Sequence, residues 1–377
     1  MCSFVSEIKS PLRRACLINY KSGGDMIEVS SQALYTALKK ALHISKTVHL
    51  SARAASLSIE AFDDVLIFST EIDRISGDYM FNVSISDVSE LKRVLRPHKG
   101  NSTIEFDGTS VVTITTGTTK TVMLGGGYDA GYYDSEDVNN FKHSAARILG
   151  GDFNRALEVT IPIARGSILD HIEMDVSTMN LFFRASDFLV DVRVSAPREG
   201  LEYTEVYAAN LPVSAMSKVT KAINKNEVVC VNQITNGAVF VNDGCAFVVH
   251  SSMNTRIPNV HLGFEGTYFP VMISPFLLSS VIKKYEQQVG TSSISTFNIS
   301  GNEFGVYIDG KIMISEWGVC PSVCIPSEGF GAMLDRMSGG IATMYIAENK
   351  PVLIQRRTDG FVIEYTIKNV KCVERRE

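Results

Sequence analysis

Long apolar runs are missing from this sequence of 377 residues. Stretches such as Phe269 to Ile273 or Phe240 to Val241 fall far short of the roughly 18 residues that a membrane-spanning helix requires. The N-terminus has no continuous apolar region of the signal-peptide kind, so a cytoplasmic protein with no membrane partner is expected. Proline is scarce, at 11 residues, and 45% of the chain is hydrophobic against 20% charged, which excludes disordered and collagen-like classes. The seven cysteines (Cys2, Cys16, Cys230, Cys245, Cys320, Cys324 and Cys372) are odd in number and scattered. A chain of this size does not need disulfides, and all seven read as reduced thiols. A surplus of positive charge is absent too: the net charge is −5. A protein coated everywhere for nucleic acid is thereby excluded, because neutralising phosphates takes Lys and Arg where the polymer lies. A locally basic surface is not, and the positions of the 36 basic residues decide the matter.

Catalytic constellations are missing as well. The histidines (His43, His49, His98, His143, His171, His250, His261) form no HExxH pair, and Cys320-x-x-x-Cys324 has no second pair at zinc spacing. Gly125-x-Gly127-x-x-Ala130 fits a loose dinucleotide fingerprint, but an acidic, aromatic stretch follows it where a helix should open onto phosphate, so it reads as linker. Gly117-Thr-Thr-Lys-Thr lacks P-loop spacing, and no Gly-x-Ser-x-Gly elbow occurs. No enzyme, metal or cofactor is expected.

What the chain does have is repetition. SLSIEAFDDVLIF and NLFFRASDFLVDV each show an alternating strand, an Asp-led step and a second alternating strand, with Asp63 matching Asp187. Asp can bond its own downstream backbone, so each reads as a tight turn rather than as a catalytic acid. Other segments repeat a strand, a helix of about ten residues and three or four alternating strands: FNVSISDVSELKRVLRPHKG, VYAANLPVSAMSKVTKAINK, MISPFLLSSVIKKYEQQ and CIPSEGFGAMLDRMSGG each open one. Asp-Gly or Asn-Gly follows at the hairpins Asp107-Gly108, Asn236-Gly237, Asp243-Gly244, Asp309-Gly310 and Asp359-Gly360. Six such units, taken in pairs, predict three α+β domains of about 110 residues. Each pairs two helices with antiparallel strands. The joints fall in the Gly-rich Leu124 to Val138 and in Ile257 to Gly266.

The helices carry the basic residues. Leu91, Val94 and Leu95 form one stripe, while Lys92, Arg93 and Arg96 lie on another. Met216, Val219 and Ile223 face inward, and Lys218, Lys221 and Lys225 line up outside. Lys39, Lys40, Arg155, Lys283, Lys284 and Arg336 complete the set. For one helix, such a face is ordinary solvation by long side chains. Its recurrence points instead to sequence-independent contact with phosphates, which fixes position and reads no bases.

With MIEVSSQALYTALKKAL at its start, LFFRASDFLVD where an Ala-Thr-Asp-Gly segment would stand, TRIPN for Arg-Phe-Pro-Asp, and DGFVIEYTIKN as a closing strand, the chain resembles the beta sliding clamp of bacterial replicative polymerases over residues 25–371. The resemblance implies three tandem DNA-clamp domains (25–134, 135–260 and 261–377, after an extension of residues 1–24) closing into a ring as a head-to-tail homodimer. It implies double-stranded DNA, a DNA polymerase and a clamp loader as partners. It also implies a partner-peptide pocket at Ser186, Phe188, Leu189, Pro258, Tyr365 and Ile367. Phe188 stands where the family usually has glycine, and Ile367-Lys368-Asn369 replaces Met-Pro-Met, which implies a divergent clamp such as a phage or plasmid carries. The competing expectation is a β-rich structural or assembly protein that never meets DNA and has no use for a basic helical face.

Overall fold

The computed structural model describes residues 26–95, 99–127, 146–177, 179–198, 207–234, 236–251, 257, 267–289, 296–316, 319–337 and 339–371. One order of elements, a strand, a helix and three strands, runs through it six times.

Residues 26–127 contain β1 (Met26–Ser30), α1 (Ser31–Ala41), β2 (Val48–Ala52), β3 (Ser56–Phe62) and β4 (Leu66–Ser76), then β5 (Phe81–Ile85), α2 (Ser89–Leu95), β6 (Asn101–Phe106), β7 (Val111–Thr116) and β8 (Thr119–Gly127). The middle segment holds β9 (Ala146–Leu149), α3 (Gly150–Ala164), β10 (His171–Val176), β11 (Asn180–Ser186) and β12 (Val190–Pro197), followed by β13 (Tyr207–Pro212), α4 (Val213–Ala222), β14 (Val228–Ile234), β15 (Gly237–Asn242) and β16 (Cys245–His250). The last contains β17 (Phe269–Ile273), α5 (Pro275–Val289), β18 (Thr296–Asn302), β19 (Gly305–Ile308) and β20 (Ile312–Ser315), then β21 (Val323–Pro326), α6 (Phe330–Arg336), β22 (Ala342–Ile346), β23 (Val352–Thr358) and β24 (Phe361–Ile367).

Local chemistry sets these elements. In α1, Leu34, Ala37, Leu38 and Ala41 fall on one buried face at helical spacing, and the Ser30 hydroxyl caps the helix by accepting from Ala33 N at 3.4 Å. In β7 the burial alternates residue by residue, with Val112 and Ile114 in the core. Asp243-Gly244, Asp309-Gly310 and Asp359-Gly360 hold positive φ at both positions, as two-residue hairpin turns demand. At Asp107, Oδ1 accepts from Thr109, Ser110 and Val111 N within 2.9 Å. Backbone donors hold its pKa at about 2.

Among the described residues all strand pairs are antiparallel. One sheet has twelve strands in the order β1-β6-β7-β8-β5-β2-β3-β4-β16-β15-β14-β9, another eight in the order β13-β10-β11-β12-β24-β23-β22-β17, and a third runs β20-β19-β18-β21. Two sheets therefore cross between segments: β4 pairs with β16 from Thr70↔Cys245 to Leu66↔Val249, and β12 pairs with β24 from Val190↔Ile367 to Ser195↔Val362. In each join the last strand of an odd-numbered unit meets the last strand of the fourth or sixth.

Two sequence readings need correction. Cys230, Cys245 and Cys320 are free thiols, but Cys324 is disulfide-bonded, a pairing that scattered spacing does not announce. Gly125 to Gly127 are not linker: they end β8 and pair with Val83 to Ile85 of β5. A Cβ on Gly125 would stand 2.6 Å from Val83 Cγ2, so close strand approach explains that glycine. Residues 128–138 of that expected joint, and residues 258–266 of the second, lie outside the described residues.

Candidate nucleic-acid interface and partner cavity

The helices form one row. α2 packs on α1, α1 on α4, α4 on α3, α3 on α6 and α6 on α5, so the two cross-segment contacts, α1 with α4 and α3 with α6, accompany the two sheet joins.

Along this row the predicted cations divide by what they touch. His43, just past α1, is half-buried, and burial followed by the charges of Lys92, Lys221 and Lys39 pushes its pKa below the ordinary histidine value. Three cations from α1, α2 and α4 thus converge on one place, and Lys39 and Lys221 are exposed. Lys225 meets Glu158 at 3.1 Å with both side chains 61% exposed, and Arg93 pairs with Glu90 on the surface of α2. Lys283 is paired with Asp335, and Lys284 is exposed. Arg155 lies over the Phe361 ring at 4.5 Å, bridging α3 to β24. Arg96 lies outside the described residues.

Lys40 departs from expectation. It is buried, donating to Asp243 Oδ2 at 3.0 Å and to Cys245 Sγ at 3.3 Å, so it ties α1 to the β15–β16 turn and is not free to meet phosphate. Lys218 is similarly engaged. Its ammonium donates to Ile44 O at 3.1 Å and pairs with Asp63. Burial alone would raise the Asp63 pKa, but Lys218 and the Val65 and Leu66 amides hold it below the usual carboxylate range.

At the second join lies a cavity of about 330 Å³ lined by Pro162 and Ile163 from α3, Asp187, Leu189 and Val190 from the β11–β12 turn, Pro326, Glu328, Phe330, Met333 and Arg336 around α6, and Ile367 of β24. The turn is built as the sequence predicts: Asp187 Oδ1 accepts from Leu189 N at 3.0 Å and Val190 N at 2.7 Å, and Asp63 Oδ1 does the same for Val65 and Leu66 at 3.0 and 2.8 Å.

Of the expected pocket residues, Leu189 and Ile367 line this cavity. Phe188, between two lining residues, is 42% exposed. Ser186 is buried behind the turn, its Oγ accepting from Phe188 N at 3.2 Å. Tyr365 is corrected: it is fully buried in the core and does not line the cavity, and burial drives its phenol pKa upward. Pro258 lies outside the described residues. Sequence reasoning missed Pro162, Ile163, Phe330 and Met333. The signal was the repeat itself, which sets the end of one unit's helix against the start of another's.

Six strand–helix–three-strand units, joined edge to edge beneath a row of helices, define a sliding-clamp fold. Comparison bears this out: the DNA polymerase sliding clamp of Bacillus subtilis superposes with a TM-score of 0.76 at 11% identity, covering 93% of this chain and 100% of that one. The beta subunit from the DNA polymerase of Streptococcus pyogenes gives 0.76 at 9%, over 92% and 100%. A Helicobacter pylori beta clamp bound to a DNA ligase peptide gives 0.68 at 15%, over 92% and 100%. No protein-family model matches the chain, and no curated protein matches it in sequence. The chain thus carries the fold of the DNA polymerase III beta clamps in divergent form. No described helix is long and apolar enough to cross a membrane.

Proposed function

We propose that this protein is a DNA sliding clamp: a processivity factor without catalysis, made of clamp domains at 25–134, 135–260 and 261–377. Two copies close head to tail around duplex DNA and tether a DNA polymerase after a clamp loader has opened them. The observation that carries this is the convergence of Lys39, Lys92 and Lys221 from three helices of one row around His43. Cations so arranged give phosphates a sequence-independent, salt-sensitive wall.

The unmatched ends of the repeat support closure by a second copy. β4 is used by β16 and β12 by β24; by the same rule β20 awaits β8 of another copy, and α5 awaits α2. At these ends Phe276, Leu277 and Val281 of α5, Met313 of β20, and Val122 and Leu124 of β8 are exposed, and apolar surface of this kind marks association. The cavity at the second join is the seat for a partner's peptide, in keeping with the ligase peptide on the Helicobacter pylori clamp.

Topology is the test. Loaded on nicked circular DNA, the protein stays bound through gel filtration and leaves when the circle is linearised. Lys39→Glu, Lys92→Glu and Lys221→Glu together abolish retention. Equal retention on circles and linear DNA would refute the clamp, as would indifference to the charge reversal, which the structural-protein alternative requires.

A further inference from the structure

Where β4 meets β16, an amine and a thiol lie against each other. Lys40 Nζ donates to Cys245 Sγ at 3.3 Å and to Asp243 Oδ2 at 3.0 Å. Lys40 and Cys245 are both buried, whereas the Asp243 side chain is 42% exposed. The group draws on both sides of the join: Lys40 belongs to α1, Asp243 lies in the β15–β16 turn and Cys245 opens β16.

Its parts are held in place. Asp243 and Gly244 keep positive φ, Thr70 Oγ1 of β4 donates to Gly244 O at 3.1 Å, and Thr70 faces Cys245 in the strand register. The Cys245 thiol donates to Asp243 O at 3.4 Å, and its sulfur accepts from Lys40. Asp243 already supplies the counter-charge that a buried ammonium requires, and a thiol is a weak acceptor, so the sulfur adds little to that pairing. What it adds is reactivity. Oxidation turns a thiol into an electrophile that a neighbouring nitrogen captures, and here the nitrogen is already in contact. Cys320 is the contrast: it is buried as well, and burial pushes its thiol up to about 11.

We propose that Lys40 and Cys245 form an oxidation-dependent covalent link, a sulfur–nitrogen bond that staples α1 to β16. Hydrogen peroxide oxidises the Cys245 thiol by two electrons to the sulfenic acid and is reduced to water. Lys40 gives one proton to the Asp243 carboxylate, and the resulting amine attacks the sulfur. The S–O bond breaks, and its hydroxyl leaves as water with a second proton from the nitrogen. Asp243 returns its proton to solvent through its exposed side. In sum, thiol, amine and peroxide give the link and two waters. A dithiol reductant reverses it, restoring thiol and amine and closing its own disulfide.

The test exposes the full-length protein to a small excess of hydrogen peroxide, alkylates the remaining thiols after unfolding, and maps peptides by mass spectrometry without reductant. The expected product joins the Lys40 and Cys245 peptides and is lighter than their sum by two hydrogens. Dithiothreitol abolishes it, and Cys320 is recovered alkylated. Tm rises by roughly 5 °C in the oxidised protein, because a link between distant positions restricts the unfolded chain, and reductant removes the rise. Cys245→Ser shows neither link nor rise. Lys40→Arg keeps the charge and leaves Cys245 oxidised but unlinked. Wild type in which Cys245 gains only oxygen, or stays a thiol, overturns the proposal, as does a Tm rise that persists in Cys245→Ser. Should Lys40→Arg fail to fold, the wild-type peptide map decides the matter alone.

Discussion

The two joins within the chain are made from the same parts and finish differently. Each is an antiparallel strand pair, β4 with β16 and β12 with β24. Beside each stands an Asp-led turn and a pair of helices in contact, α1 with α4 and α3 with α6. At the first join, Lys218 of α4 reaches across to Asp63 and Ile44, and Lys40 of α1 reaches Asp243 and Cys245. At the second, α6 aligns on α4 through Ala332-Met333 and Ala215-Met216, which puts Asp335 at the step of Lys218. Asp335 turns instead to Ser279 and Lys283 of α5. The cation of α6, Arg336, stands one step further on and lines a cavity beside the turn together with Asp187. A change of charge at an equivalent position, Lys218 to Asp335, accompanies the difference between a seam closed by an ion pair and one beside a cavity.

The largest expected effect breaks the sealed seam at its core. Phe68 of β4 is fully buried, with its ring centroid 5.4 Å from that of Phe247 in β16, and Ile67, Val248 and Val239 form a separate cluster at the same join. Phe68→Ala should cost about 3–5 kcal/mol in chemical denaturation, by lost transfer energy and the cavity left behind. A loss below about 1 kcal/mol would mean that the backbone pairing, not these rings, holds the join.

Lys218→Met should cost roughly 1 kcal/mol at neutral pH, since a charged hydrogen bond is lost from a side chain 32% exposed. The pH dependence identifies the cause. The pKa of Asp63 is lowered by folding, so its contribution is present above the unfolded value of about 3.9 and is lost as pH falls through the folded value. Wild type and Lys218→Met should therefore converge in stability once the pH has fallen through the lowered folded value of Asp63. A constant gap down to that pH would assign the loss to packing of the lysine stem instead.

Asp335→Lys sharpens the comparison from the other side, by giving α6 the cation that α4 has. It forfeits the Lys283 contact, whose partners are 49% and 41% exposed, so the stability change should stay within about 1 kcal/mol. A lysine reaching Asp187 would fill the cavity mouth, and binding of a peptide from the tethered polymerase should fall by roughly tenfold or more. Unchanged affinity would show that the charge step does not control access.

How far these differences could be read beforehand follows from their range in sequence. The Asp63 and Asp187 turns, the Asp-Gly hairpins and the α1 stripe rest on contacts within a few residues, and side-chain chemistry alone predicts them. The partners of Lys40 and Lys218 are more than 150 positions away in the chain, and a helical wheel can say only that each leaves the apolar face. Tyr365 read as a pocket residue through the resemblance alone; its burial depends on which face of β24 meets the core, and one step of register reverses that. Nothing local marks Pro162, Ile163, Phe330 and Met333 as lining the gap where α3 ends against α6.

The smallest expected effect separates cations committed to a seam from cations held in reserve. Lys225 and Glu158 are both 61% exposed at 3.1 Å, and such surface pairs contribute about 0–1 kcal/mol because water and salt screen them. Lys225→Ala should thus leave denaturation within about 0.5 kcal/mol of wild type. If the ammonium leaves Glu158 for a phosphate when DNA is threaded, the same substitution should lower the slope of log affinity against log salt by about one. Lys40→Ala is the counterpart. Its side chain is 11% exposed and fixed on Asp243, so it should cost about 1–2 kcal/mol of stability and leave the salt slope where it was. If Lys40→Ala moved the slope and Lys225→Ala did not, the division between structural and phosphate-facing cations drawn along the helix row would be reversed.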